Sequence, residues 1–126
     1  MKLILLLLVV ICAALYFPEP RAWVIDRAQP VLNPILTTAT HSEMERIVED
    51  LGQYSRENFG RFPDTRQFPL WLEDQYTGGG SRDSWDTPYQ LEDLRRDRRM
   101  RLRSWGPDRL RGTDDDIFVD FQREGR

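Results

Sequence analysis

Apolar residues fill positions 3–17 without a break, behind the single basic residue Lys2. Coiled as a helix, those fifteen residues would rise about 22 Å, less than the ~30 Å hydrocarbon core of a bilayer. Pro18, Glu19, Pro20 and Arg21 make a poor cleavage site, so the pattern predicts a retained signal anchor over residues 1–22. Trp23 would then sit at headgroup level. Pro18, Pro20, Pro30 and Pro34 each remove a backbone donor and disfavour helix in the residue before them. One straight helix from residue 3 to residue 59 is therefore not expected. Residues 23–41 read instead as a proline-punctuated, membrane-proximal segment holding a short amphipathic piece (Val24, Ile25, Ala28, Val31, Leu32, Ile35). The pattern leaves open whether that piece lies at a membrane or packs on the following domain.

Residues 42–126 read as a globular domain. Ser42 with Glu45, and Thr40 with Glu43, have the spacing of a capping box. The stripe of Met44, Ile47, Val48, Leu51 and Tyr54 predicts a helix over Ser42–Asn58 that needs a sheet to cover it. Gly60 stands at its C-terminal cap, and Pro63 blocks continuation. Phe68, Trp71, Leu72 and Tyr76 suggest a second short helix with Pro69 in its first turn. Alternation then predicts strands over Pro88–Leu94, Met100–Ser104 and Ile117–Phe121. A helix laid on three antiparallel strands is an α+β fold. Its modest core would be built on Trp85, Tyr89, Leu91, Leu102, Ile117 and Val119.

Composition narrows the chemistry. A chain of 126 residues has room for one small domain and one appended segment. The net charge of −3 selects no class of partner. Cys12 is the only cysteine, which excludes an intrachain disulfide and a thiolate zinc site; it reads as a buried small apolar side chain. His41 is the sole histidine and serves no recognisable serine elbow. Exposed Asp-rich loops rarely hold a raised pKa, so no pair of carboxylates stands out for acid–base work. No catalytic constellation emerges, and the expected protein is not an enzyme. Gly78-Gly79-Gly80-Ser81 has neither a following lysine nor a preceding strand, so it reads as a linker and not a phosphate loop.

Two charged clusters remain. Asp108, Asp114, Asp115 and Asp116 flank a loop that also offers carbonyls at Ser104–Gly106 and Gly112–Thr113, a donor set suited to a hard cation such as calcium. Three adjacent aspartates repel one another, and either a cation or the nearby Arg109 or Arg111 would relieve them. The second cluster is Arg95, Arg96, Arg98 and Arg99, continued by Arg101 and Arg103. It could contact phosphates or an acidic partner. With no interleaved aromatics, a nucleic-acid role is not favoured over a solvated hairpin whose arginines pair with Glu92, Asp93 and Asp97. Asp83 reads as the cap of the turn into Trp85.

Several of these stretches fall into a family pattern. The chain reads Asn58-Phe59-Gly60-Arg61-Phe62-Pro63, then Asp83-Ser84-Trp85-Asp86-Thr87-Pro88-Tyr89, then Ser104-Trp105-Gly106-Pro107-Asp108, and finally Gly112-Thr113-Asp114-Asp115-Asp116-Ile117. These resemble, over about residues 42–121, the C-terminal domain of type II secretion major pseudopilins and class III-type pilins. That family carries N-G-R-Y-P-T, D-P-W-G-x-P-Y, S-x-G-x-D-G and an acidic D-x-D-I. Arg109 stands where the pattern has its glycine after the aspartate. Ile4–Ile11 is similar to the family's apolar start L-I-E-L-L-V-V-I, with Leu6 at the glutamate position. The resemblance implies a non-enzymatic structural component of a type II secretion or pilus-like envelope assembly. It further implies a single-pass protein of the bacterial inner membrane with its C-terminal domain in the periplasm or outside, and pilin-like or secretion-system subunits, including copies of itself, as partners. Calcium would be held by Asp108 and Asp114–Asp116. The competing expectation is a membrane-anchored module of the same fold that stays out of any fibre and meets an acidic partner through Arg95, Arg96, Arg98 and Arg99.

Overall fold

The computed structural model describes residues 2–16 and 18–123, with the backbone alone at 3, 13–15 and 18–29. The chain divides into two compact units, Met1–Pro34 and Ile35–Arg126.

The first unit is helical. Helix α1 spans Lys2–Tyr16, and Ile4 through Ile11 are each more than half exposed along it. Among the described residues no helix is long and apolar enough to cross a membrane. A membrane-spanning anchor over residues 1–22 is thus unsupported, because the apolar run ends before Glu19 and Arg21.

Helix α2 spans Pro18–Glu57, so the stretch from residue 3 to Glu57 is divided between two helices with the second starting at Pro18, but no break occurs at Pro30 or Pro34. Pro18 and Pro20 fall in its first turn, where the missing donors have no intrahelical partner to lose. Pro30 and Pro34 lie inside it. Being four residues apart, they remove ladder bonds on one side of the helix only, which leaves the other rows to carry it. Nor does the helix begin at the capping-box residues. Thr40 is fully buried and shares a 2.7 Å hydrogen bond with Ser84 Oγ, while Ser84 Oγ also donates to the Leu36 carbonyl at 3.3 Å. These bonds carry the second unit back along the helix to Ile35.

The C-terminal end of α2 follows the expectation. The Gly60 amide donates to the Ser55 carbonyl at 2.8 Å, Asn58 Nδ2 donates to the Tyr54 carbonyl at 2.8 Å, and Phe59 and Gly60 both take positive φ. Helix α3 follows at Phe68–Gln75, with a proline in its first turn. Strands β1 (Gln90–Leu94), β2 (Arg99–Ser104) and β3 (Ile117–Gln122) form an antiparallel sheet in the order β1-β2-β3. The fold of this unit is therefore α+β.

Strand alternation sorts the sheet into two faces. One face meets the helices: Leu91, Met100 and Leu102 close against Met44, Ile47 and Leu51 of α2, with Phe68 and Leu72 of α3 and with Tyr89. Trp85 is 5% exposed and Tyr89 fully buried. Ile117, Val119 and Phe121 complete the layer at its margin. Each large side chain taken out of water contributes about 1.5–3 kcal/mol, so this one layer carries most of the unit's stability. The other face is charged. Glu92, Arg101 and Asp120 stand side by side across the three strands, and Arg101 grips Asp120 with two bonds of 2.6 and 2.8 Å.

Candidate functional site

The tryptophan turn and the loop between β2 and β3 meet at one buried carboxylate. Asp83 is 6% exposed. Its Oδ1 accepts the Trp85 amide at 3.0 Å and the Thr87 amide at 2.9 Å. Its Oδ2 accepts the Thr87 hydroxyl and, at 2.6 Å, the Ser104 hydroxyl. Asp83 thus caps the turn into Trp85, as its position before the tryptophan predicts, and also reaches the end of β2. Ser104 Oγ in turn accepts the Gly106 amide at 3.1 Å, which links the turn to the loop.

Gly106 is where the loop folds over itself. Its φ is +70°, and a Cβ there would lie 2.0 Å from the Asp115 carbonyl oxygen. Only a residue without a side chain allows that approach. The 105–116 loop therefore closes through its backbone where Gly106 meets Asp115. Asp108 Oδ1 is occupied locally, accepting the Leu110 amide at 2.9 Å. Asp114 and Asp115 are exposed.

Asp116 alone is drawn inward, its side chain 3% exposed. Its Oδ2 accepts Arg103 Nη1 at 2.6 Å and the Gly112 amide at 2.8 Å, while Oδ1 is buried without a hydrogen-bond partner. Burial pushes the Asp116 carboxyl up, but the Gly112 amide and the Arg103 guanidinium outweigh it and hold the group below the usual carboxylate range. The arginine that neutralises the acidic run is thus Arg103, on β2, and not Arg109 or Arg111. Arg103 also lies 3.0 Å from Glu92 through Nε, a contact without hydrogen-bond geometry. Arg111 reaches Glu92 at 3.3 Å.

Among the described residues no group of three or more His, Cys, Asp or Glu side chains is placed to hold a metal ion. The inward carboxylate of the loop, Asp116, already carries a guanidinium.

The arginine run is split by strand alternation. Arg101 and Arg103 lie on the charged sheet face and are paired. Arg95, Arg96, Arg98 and Arg99 sit at the hairpin end and are all exposed. There Arg95–Asp97 form a 3-10 turn, and Arg98 takes a left-handed conformation that turns the chain into β2. Of the pairs expected for a solvated hairpin, Arg95–Asp93 forms at 3.4 Å and Arg103–Glu92 forms as above. Sequence reasoning missed Arg123, which meets Asp93 at 3.1 Å and donates its amide to the Arg98 carbonyl at 3.0 Å.

A further acidic group lines the α2 side of the core. Burial raises the Glu43 carboxyl above its usual value despite the hydrogen bond from the Tyr89 hydroxyl, which is 3.1 Å away. Burial and the nearby Glu43 carboxylate likewise push the Tyr89 phenol up. The Tyr76 hydroxyl donates to Asp50 Oδ2 on the same helix. His41 is exposed and 3.6 Å from Glu45, which suits a surface role.

No protein-family model matches this chain, and no characterised protein or solved structure matches it.

Proposed function

We propose that this protein is a non-enzymatic, pseudopilin-like structural subunit of a type II secretion or pilus-like assembly at the bacterial envelope. The observation that carries this reading is backbone conformation at two positions. The family pattern D-P-W-G-x-P-Y has glycine at Asp86, and S-x-G-x-D-G has glycine at Arg109. Both residues take positive φ here, 66° and 58°, a region that favours glycine. The turns thus keep the conformation for which the pattern's glycines are suited, although the side chains differ.

Helix α1 supports the same reading. An exposed apolar helix of this composition needs a cover, and lipid or the α1 helices of neighbouring copies would supply one. N-terminal sequencing of the native protein, with cross-linking in the cell, tests the proposal. A trimmed, methylated terminus and a ladder of cross-linked copies are expected; an intact Met1 on a protein that never cross-links to itself would overturn it. Calcium belongs to the same proposal. A cation at Asp116 would either take the unpartnered Oδ1 or displace Arg103 from Oδ2, and a melting midpoint raised by millimolar calcium and lowered by a chelator is the result that would establish it.

A second reading keeps the fold and drops the fibre. Leu6 at the family's glutamate position favours it, since no carboxylate is then present to pair with a neighbour's terminus. In that reading the exposed Arg95, Arg96, Arg98 and Arg99 are the contact surface for an acidic partner.

A further inference from the structure

The hairpin end of the sheet is more basic than the arginine run alone suggests, because the fold brings two more arginines to it. Arg61 arrives from the segment after α2, and Arg123 from the residue after β3. With Arg95 they line a cavity of about 420 Å³, which Phe62, Pro63 and Met100 back with apolar surface.

The charges in this cavity are unevenly matched. Asp93 is shared between Arg95 at 3.4 Å and Arg123 at 3.1 Å. Asp64 is engaged by the Arg66 amide at 2.8 Å. Arg61 forms no ion pair among the described residues and is exposed. Three guanidinium groups therefore border one cavity against two carboxylates, Asp93 shared by two of the arginines and Asp64 held by a backbone amide, which leaves one positive charge in excess.

We propose that this cleft binds the phosphate group of a phosphomonoester. A carboxylate offers only two oxygens, and Asp93 already divides its own between Arg95 and Arg123. A phosphomonoester offers three terminal oxygens and up to two charges, so forks from separate chain segments can engage it together. The apolar backing of Phe62 and Pro63 suits the esterified carbon side of such a ligand, and the volume leaves room for more than an inorganic ion. The assignment does not depend on fibre formation, and it gives the second reading above its ligand chemistry.

The test uses the full-length protein in nonionic detergent micelles, titrated with glycerol 3-phosphate while the arginine side-chain NMR signals are followed. Saturable shifts of Arg61, Arg95 and Arg123 are expected. Arg61→Gln and Arg123→Gln should each weaken binding about tenfold. Asp93→Asn should tighten it, since the competing carboxylate is neutralised at constant shape; a purely structural Asp93 would only lower the melting midpoint. Retention on vesicles containing phosphatidic acid, lost in the same arginine variants, assigns the phosphate to a lipid headgroup. Retention that the variants leave unchanged assigns it to a soluble ester. The proposal is overturned if glycerol 3-phosphate gives no saturation, if succinate binds equally well, or if the arginine variants bind like wild type. Tight binding of a DNA duplex that glycerol 3-phosphate does not compete would likewise overturn it. None of these outcomes depends on whether the terminus is processed or the protein polymerises.

Discussion

Two aspartate-bearing segments carry the C-terminal unit, and they use their charge in opposite ways. The Asp114–Asp116 run has the higher charge density in the sequence, yet two of its three side chains face water and only Asp116 is held, by an arginine. Asp83 stands between an arginine and a serine with no acidic neighbour closer than Asp86. It is nevertheless the buried hub, satisfied by two amides and two hydroxyls. A carboxylate can be buried where small hydroxyls and turn amides surround it, because those donors replace water without bringing a second charge that must also be desolvated. Adjacent carboxylates repel one another, so most of such a run stays solvated.

The comparison is broken most forcefully at the buried segment. Gly106→Ala places a Cβ into the Asp115 carbonyl, and Asp83→Ala strands four donors. Each is expected to cost about 3–5 kcal/mol, read by urea denaturation, whereas Asp114→Asn combined with Asp115→Asn should stay within about 0.5 kcal/mol. If the double asparagine variant proved the more damaging, the roles assigned to the two segments would be reversed.

Arg103→Gln comes next, at about 2–3 kcal/mol, since it leaves the inward Asp116 carboxylate without its guanidinium. The same contact sets an acid limit. Asp116 and, through its bond to Arg101, Asp120 both titrate below the ordinary carboxylate range. A carboxylate depressed on folding stabilises the native state above its unfolded pKa, about 3.9, and that stability disappears as pH falls through the folded value. The melting midpoint should therefore drop steeply below about pH 4, and Arg103→Gln should make that drop shallower.

Arg109→Gly sharpens the comparison in the other direction. It relieves a left-handed arginine at φ +58°, and about 1 kcal/mol of added stability is expected by the same denaturation assay. Failure to stabilise would remove the backbone support offered for the pseudopilin reading.

The smallest effect belongs to Glu43. Its raised carboxyl contributes stability below the unfolded pKa that is lost as pH rises through the folded value. Glu43→Gln keeps an acceptor for the Tyr89 hydroxyl and removes the charge. A gain of under about 1 kcal/mol at pH 7 is expected, vanishing at pH values where Glu43 is already protonated.

Much of the architecture was legible before any coordinates. The alternation of Met100, Leu102 and Ser104 with arginines placed β2 and its buried face, because side chains point to opposite faces every second residue. The stripe from Met44 to Tyr54 and the Gly60 cap located the working half of α2, because apolar spacing and positive φ are local properties. The helix start was not legible. Thr40 and Ser42 carry an N-cap signal that loses to continuation of the helix, and Thr40 instead spends its hydroxyl on Ser84, 44 residues away. Nor could spacing reveal that Arg103 would neutralise Asp116, or that Arg61, Arg95 and Arg123 would share one cleft. Local sequence determines which segments coil, extend or turn, because those preferences are settled within a few residues. Which charges become partners was decided only by the tertiary structure, since ion pairing depends on distance in space and those residues lie far apart along the chain.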